Sequence, residues 1–184
     1  MARRRRHRLV ALCLLALAAA LPASGCGKTH KAGEAVREGL STPLDGLHYT
    51  VFLTRELNIR NQEDSGYVPG AKDPAPGRGW YGVFLQACNT GKSTATASSN
   101  FTIVDTQGDE FHPTIMKADN PFAYHGGPVP PQNCEPARGS LAQQGPTSGA
   151  MLLFDLPLAA TENRPLELHI QGNAQQEAAV VLDI

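Results

Sequence analysis

The sequence lacks an apolar run long enough to cross a bilayer. Its main apolar run, residues 9–21, has 13 residues, whereas a transmembrane helix needs about 20. A strongly basic segment, ARRRRHR at residues 2–8, precedes this run, and small residues follow it. This order is typical of a bacterial secretory signal rather than of a membrane-spanning helix.

The end of this segment, ASGC at residues 23–26, resembles the lipobox of bacterial lipoproteins. The resemblance implies that the Cys26 thiol is diacylated and that Cys26 becomes the new N-terminus. The alternative is an ordinary signal peptide cleaved near Ala23 or Gly25, with Cys26 unmodified. The paired arginines also leave twin-arginine export open beside general secretion, although arginine runs are ordinary in such signals.

A complete phosphate-binding loop is also missing. Gly27-Lys28-Thr29 matches the end of that motif, but Pro22 stands where its first glycine is required. Proline has no N–H and a fixed φ, so it suits a loop that points amides at phosphates badly. The preceding Ala/Leu run is not a strand either. Nucleotide binding is therefore not expected, and no cofactor is predicted.

Basic residues are scarce once the leader is removed. Cleavage before Cys26 leaves 159 residues (184 − 25), with 11 basic (16 − 5) against 17 acidic residues and a formal charge of −6. No basic stripe remains for nucleic acid or an anionic membrane surface. Membrane attachment must then come from lipid, and two acyl chains are enough for stable anchoring.

Cysteines are few: of the four in the sequence, only two are expected to remain available for pairing in the folded domain. Cys13 lies in the apolar run of the leader and Cys26 is the predicted lipid site. Cys88 and Cys134 remain, and an oxidising compartment favours a disulfide between them. Two unpaired buried thiols or a metal site are the alternatives, but two such distant cysteines lack the C-x-x-C spacing of zinc ligands.

From Leu47 onward, apolar and polar residues alternate as in strands. LHYTVFLTREL, residues 47–57, is expected to place Leu47, Tyr49, Val51 and Leu53 on one face. Six further strands are predicted: one in each of residues 79–89, 148–157, 164–172 and 178–184, and two in a hairpin within residues 98–116. No stretch predicts an amphipathic helix of three turns. The fold class is therefore all-β, most simply a two-sheet sandwich of about seven strands.

Three regions follow from these patterns. Residues 1–25 are the predicted signal peptide, residues 26–46 a lipidated cysteine with a flexible polar tether, and residues 47–184 the folded domain. Two long irregular segments, 61–78 and 118–147, interrupt the strands. Such segments in a compact domain are usually functional or mobile.

The order of these segments resembles that of immunoglobulin-like extracellular lipoproteins of Gram-positive, especially actinobacterial, bacteria. NFTIVDTQGDEFHP at residues 100–113 and LLFDLP at residues 152–157 carry most of the resemblance. It implies an immunoglobulin-like sandwich at the cell surface with no established catalytic residues. The long segment 118–147 and its cysteine depart from that pattern.

Catalytic and metal-binding patterns are weak. No G-x-S-x-G elbow is present, so no catalytic residue and no enzyme activity are predicted. Asp105, Asp109 and Glu110 suit a hairpin turn, and the spacing of a calcium loop is absent. Four of the six histidines lie in the predicted folded domain, namely His48, His112, His125 and His169. None of these four is paired with a second ligand at i+2 or i+4, so no metal site is predicted.

Aromatic residues give the best binding-surface candidates. Trp80 is expected to pack between the sheets, as the tryptophan of a sandwich often does. Phe122 and Tyr124 lie in segment 118–147 and are predicted contact residues, although core packing is an equal alternative for them. Exposed aromatic rings on a pinned loop make rigid contacts at low entropic cost.

Three hypotheses of function remain. The preferred one is a surface-anchored binding or accessory module that presents segment 118–147 to a protein, peptide or glycan. The second is an envelope structural or chaperone-like lipoprotein that pairs with a partner through a sheet edge. The third is an enzyme with an unrecognised site.

Overall fold

The computed structural model describes residues 35–184, and strands dominate this part of the chain. Only two short α-helices occur there, α1 (Gln62–Tyr67) and α2 (Leu141–Gln144), beside two 3₁₀ turns at Leu158–Glu162 and Asn173–Gln175. None of the helices found in these residues has the length and apolarity that a membrane crossing requires. The strands are β1 (Val36–Arg37), β2 (Ser41–Leu44), β3 (Leu47–Leu57), β4 (Arg78–Cys88), β5 (Ala95–Ala97), β6 (Phe101–Val104), β7 (Glu110–Phe111), β8 (Gly127–Val129), β9 (Cys134–Glu135), β10 (Ala150–Pro157), β11 (Leu166–Gln171) and β12 (Glu177–Leu182).

The strands form two main sheets. The first has the order β1-β12-β11-β6-β7, and the second has the order β10-β4-β3-β2 with β9 paired to β4. β5 and β8 form a separate small ladder. The predicted all-β two-sheet sandwich is confirmed, and each of the seven predicted strands is present. The five strands that the sequence did not predict are short: β1, β2, β5, β8 and β9.

The main core lies between the two sheets and follows the predicted alternation. On β3, Leu47, Tyr49 and Val51 are fully buried and face this core. The prediction for Leu53 is wrong, because it is 38% exposed. The register between β3 and β4 shifts between Val51 and Leu53. This bulge inserts one extra residue and turns the following side chains to the opposite face.

The folded domain begins earlier than predicted. Val36 pairs in parallel with Val180 of β12, and Leu44 is 4% exposed in the main core. The predicted boundary between a tether and a domain at residues 46 and 47 is therefore wrong, because residues 36–44 already pair with the sheets. The predicted signal peptide, Cys26 and the start of the tether lie outside the described residues.

The predicted disulfide joins Cys88 and Cys134. The two residues lie directly opposite each other on β4 and β9, with their Cα atoms 4.0 Å apart. Beside the bond, Asn89 donates its N–H to the carbonyl of Asn133 over 2.8 Å and accepts from the N–H of Gln132 over 2.9 Å. Segment 118–147 is thus attached to the end of β4 by covalent and hydrogen bonds.

The acidic cluster of the hairpin forms a turn. The Asp105 carboxylate accepts the backbone N–H of Gln107 over 2.9 Å and that of Asp109 over 3.0 Å, and Asn163 donates its side-chain amide over 2.9 Å. The Asn163 hydrogen bond, reinforced by these backbone donors, lowers the pKa of Asp105 below its ordinary value. The carboxylate therefore satisfies turn donors, as the sequence predicts.

Candidate functional site

The two long irregular segments pack together on the outer face of the second sheet. Their apolar side chains form a second core, separate from the one between the sheets, around the buried residues Leu57, Tyr67, Val68, Phe84, Met151 and Leu153. Both faces of this sheet are therefore covered. The irregular segments have a structural role here that the sequence analysis did not assign to them.

An ion pair attaches helix α1 to the sheet. Arg55 on β3 contacts the Asp64 carboxylate over 2.7 Å, and the Asp64 side chain is almost fully buried. Asp64 also accepts the backbone N–H of Asn58 over 2.8 Å. The Arg55 guanidinium lies 5.8 Å from the ring centroids of both Tyr67 and Phe84, a distance suited to cation–π attraction. The helix is thereby fixed in position over the second core.

Tyr67 connects three separate parts of this cover. Its hydroxyl accepts the backbone N–H of Thr147 over 2.9 Å, and its carbonyl accepts the side-chain amide of Asn120 over 2.8 Å. Its ring packs edge-on against Phe84 and Phe122, at centroid distances of 5.1 Å and 4.8 Å. Because Tyr67 is buried, these contacts fix segments that lie far apart in sequence.

Residues 113–125, which we call the strap, cover the free edge of β10. Thr114 donates its N–H to the carbonyl of Leu153 over 2.6 Å. Further along, Tyr124 donates to Met151 over 2.9 Å and Met151 donates to Phe122 over 2.7 Å. Backbone hydrogen bonds therefore hold the strap to the sheet at both ends of residues 115–121.

An apolar cleft of about 170 Å³ lies between the strap and a turn at Val68–Ala71. The turn is closed by a hydrogen bond from the Ala71 N–H to the Val68 carbonyl over 3.0 Å. Gly70 has φ +81°, the conformation that the second corner of a type II turn requires, and Pro69 suits its first corner. The cleft is lined mainly by apolar side chains, among them Val68, Pro69, Trp80, Met116 and Leu153, with Lys117 as its charged residue.

A second cleft, of about 370 Å³, lies on the other side of the strap and includes Phe101, His125 and Met151. Ile115 stands on the ridge between the two clefts and borders both. Its side chain is 97% exposed, far more than that of any other large apolar residue within residues 35–184. Ile115 and the apolar walls of the clefts that it borders form one continuous apolar surface, and such a surface marks this face as the candidate contact surface.

The predicted contact residues Phe122 and Tyr124 lie beneath this surface. Tyr124 is 9% exposed and packs edge-on against Phe101, while Phe122 is half-buried against Tyr67. Burial raises the pKa of the Tyr124 hydroxyl well above its ordinary value, so the group is neutral at physiological pH. Of the two alternatives left open for Tyr124, core packing is the one observed, and both rings anchor the strap to the sheet. A role for either residue in binding stays a prediction.

Trp80 also differs from its prediction. Its side chain is partly buried against the second core, on the outer face of the sheet, and not between the sheets. The indole Nε1–H donates to the carbonyl of Lys72 over 2.9 Å. Trp80 therefore forms part of the first cleft, a position that the alternation of β4 alone did not indicate.

The sequence alone did not indicate four residues of the ridge and the cleft, namely Ile115, Met116, Lys117 and Asn120. Two signals were present in the sequence. Pro69-Gly70 is a dipeptide typical of a type II turn, and Ile115-Met116 is an apolar pair within an otherwise polar stretch between two prolines. Neither signal indicates that the two segments meet.

Potential metal ligands do not gather in the part of the chain that the structure describes: no group of three His, Cys, Asp or Glu side chains is placed to hold an ion. His169 Nδ1 is hydrogen-bonded to the Glu177 carboxylate, and His112 Nδ1 lies 3.3 Å from the Thr102 hydroxyl. These two histidines are thus engaged in local hydrogen bonds along the first sheet.

No family model matches the chain, and no curated protein matches it. Among solved structures, the yjhA protein from Bacillus subtilis has a TM-score of 0.52 and 12% identity, over 80% of this chain and 99% of that one. A candidate lipoprotein, ycdA, from Bacillus subtilis has a TM-score of 0.50 and 12% identity, over 78% of this chain and 38% of that one. This chain therefore spans well under half of the ycdA protein.

A third similar structure is an uncharacterized beta-sandwich protein from Clostridium difficile 630, with a TM-score of 0.46 and 13% identity over 85% of this chain and 99% of that one. At 12% identity, the likeness to the two Bacillus subtilis proteins concerns the fold alone. The chain is thus similar in fold to these two bacterial proteins.

Proposed function

We propose that this chain is an extracytoplasmic bacterial lipoprotein, anchored to the cell membrane through lipid on Cys26, whose sandwich domain binds a partner protein. Three features support the anchor: the basic segment, the short apolar run and the lipobox-like ASGC. The description of ycdA as a candidate lipoprotein agrees with it. The proposal also includes a relationship to the immunoglobulin-like lipoproteins that the sequence resembles.

The single observation that carries the binding function is the exposure of Ile115 on a ridge between two clefts. The strap beneath it is held to β10 at Thr114 and at Tyr124. A surface fixed in advance loses little conformational entropy when a partner binds. The contact surface in this proposal is therefore the ridge and the clefts beside it, which overlap the first part of segment 118–147.

Binding through a free edge of the second sheet has less support. The eight-residue edge strand β10 is occupied by the strap, and Arg78 donates to the outward carbonyl of Asp155 over 2.6 Å. At the other edge of the same sheet, β2 contains Pro43, which has no N–H to offer. Covered and proline-bearing edges resist the addition of a strand. The proposal assigns no catalytic step.

The test is a comparison of partner capture from cell membranes by three forms of the full-length protein. Ile115→Asp places a charge on the ridge, and Leu40→Asp places the same charge at another exposed apolar site outside both clefts. We expect a partner that wild type and Leu40→Asp both retain and Ile115→Asp loses. Equal capture by all three forms would contradict the proposed contact surface.

A further inference from the structure

We infer that the partner of this face is a second copy of the chain, with Ile115 of each copy seated in the apolar cleft of the other. This inference rests on the proposed function and names the occupant of its contact surface. The size of the cleft, the exposed isoleucine beside it and the charges nearby support this occupant.

The cleft matches one apolar side chain. Its volume is about 170 Å³ and its wall includes Val68, Trp80 and Met116. An apolar protein cavity of about 150 Å³ binds benzene, and an isoleucine side chain is smaller than benzene. The turn at Pro69-Gly70 and the Asn120 hydrogen bond to Tyr67 fix both walls. The cleft can therefore receive a side chain without a large rearrangement.

The side chain that fits is present on the same face. Ile115 is 97% exposed and borders the cleft itself. It cannot fill the cleft of its own chain while it remains exposed to solvent. A protruding group and a complementary recess side by side make a surface self-complementary under a two-fold axis, because each copy then supplies one of each.

Charge on this face does not oppose self-association. Lys117 lines the cleft and Asp119 is exposed two residues further along the strap. Neither takes part in an ion pair with another side chain between residues 35 and 184. Lys117 at the cleft and Asp119 at a neighbouring depression have opposite signs, so a two-fold axis can place them together, whereas charges of one sign would repel the second copy.

The expected dimer is weak in free solution. A ridge and one cleft per copy form a small interface, and interfaces below roughly 1,200 Å² are typically transient. Attachment of both copies to one membrane raises their effective concentration and compensates for a modest affinity. Dimerisation is therefore expected at high concentration in solution and at ordinary expression on a membrane.

The experiment is analytical ultracentrifugation of the full chain carrying Cys26→Ser, over a wide concentration range. We expect the average mass to rise toward that of a dimer as the protein concentration increases. We expect Ile115→Asp to raise the dissociation constant by about tenfold or more. Leu40→Asp is the matched control and should associate as the parent does. A parent chain that stays monomeric at every concentration overturns the inference.

A mixing test separates a seated side chain from a general surface effect. Ala71→Leu fills the cleft and leaves Ile115 intact, whereas Ile115→Asp leaves the cleft intact. Each variant alone should associate more weakly than the parent. At a concentration where each variant alone is monomeric, an equimolar mixture should form heterodimers through the one remaining contact. If Ala71→Leu does not fold, judged by circular dichroism, Lys117→Trp covers the same cleft from its exposed rim. Absence of heterodimers from a folded pair contradicts the inference.

These results are distinguishable from failure of the proposed function. If Ile115→Asp loses a membrane partner while the purified parent chain stays monomeric, the contact surface stands and the second copy is excluded as its occupant. If neither the membrane capture nor the association depends on Ile115, both proposals are wrong.

Discussion

Asn120 donates its side-chain amide to the carbonyl of Tyr67, 53 residues earlier in the chain, over 2.8 Å. The same side chain accepts the backbone N–H of Phe122 over 2.9 Å. Asn120 is 5% exposed, so water does not readily replace either partner. This one residue therefore joins the two irregular segments that form the cleft.

Asn120→Ala should destabilise the domain by about 1–3 kcal/mol, because it leaves a buried carbonyl and a partly buried N–H without partners. The measurement is chemical denaturation followed by tryptophan fluorescence, since Trp80 lies in the same cleft. Asn133→Ala is the matched control, because that side chain bonds the Pro131 carbonyl at an exposed site. Equal losses for both variants would contradict a special role for Asn120.

Asp64→Ala should cost about 2–3 kcal/mol of unfolding free energy. It leaves the Arg55 guanidinium over the second core with only the more distant Glu63 carboxylate, at 3.7 Å. The loss falls below the roughly 3–5 kcal/mol of a fully buried pair because Arg55 still reaches water and retains this second partner. Asp73→Ala removes the exposed pair with Arg60, at 3.1 Å, and should change the free energy of unfolding little, because water screens an exposed pair. Both are measured by urea denaturation, and similar values would show that the Arg55–Asp64 pair is not special.

Asp105 should make the hairpin sensitive to acid. Its folded-state pKa is lowered, so the folded state binds protons more weakly than the unfolded chain. The resulting stability is present above the ordinary value of 3.8 and is lost as pH falls through the lowered one. Asp105→Asn should lower the free energy of unfolding at neutral pH. It should also make that free energy fall less steeply as the pH drops below 3.8. Asp109→Asn, at an exposed position of the same turn, should retain the steep fall; identical pH profiles for the two variants would refute this role of Asp105.

Loss of the Cys88–Cys134 bond should destabilise the domain by about 4 kcal/mol, from the closure entropy of a 46-residue loop. Hydrogen exchange of a Cys88→Ser, Cys134→Ser variant should show more loosening in residues 118–147 than in the hairpin at residues 101–113. Mass spectrometry of the exported protein under non-reducing conditions checks that the bond forms. Freely alkylated thiols would disprove the bond, and uniform loosening would disprove only its role in fixing that segment.

Cys26→Ser should move the protein from the membrane fraction to the medium or periplasm without unfolding it. The substitution removes the only thiol that the lipobox resemblance assigns to lipid, and two acyl chains are what make such anchoring stable. Cell fractionation with immunoblotting measures the change, and Cys13→Ser in the apolar run is the control. Quantitative retention of the Cys26→Ser form in membranes would contradict the lipid anchor.

The sequence was sufficient to predict seven of the twelve strands within residues 35–184, and the disulfide, because these depend on patterns that are local or simple. The alternation of Leu47, Tyr49 and Val51 follows from the pleat of one strand, and only two cysteines remained to pair. Leu53 was misplaced because the bulge beside it is set by pairing with β4. Strands β1 and β2 were assigned to a tether because segments so short acquire strand geometry only through their partners.

The candidate site was beyond prediction for a related reason. Its walls meet through Tyr67 and Asn120, whose contact leaves no periodic trace in the intervening residues. The aromatic residues Phe122 and Tyr124 drew attention because aromatic rings often mark binding surfaces. In this fold the two rings pack against Tyr67 and Phe101 and so attach the strap, whereas Ile115 is the exposed apolar residue of the surface.

The walls of the cleft are also the cover of the second core, and this shared use constrains how the surface can evolve. Asn120 and Tyr67 cannot change without weakening the cover, whereas Ile115 and Lys117 are exposed and can be exchanged at little cost to folding. Lineages descended from this protein should therefore diverge at those two positions before they diverge at Asn120 or Tyr67. A change of partner would then be accessible through one or two substitutions on an unaltered framework.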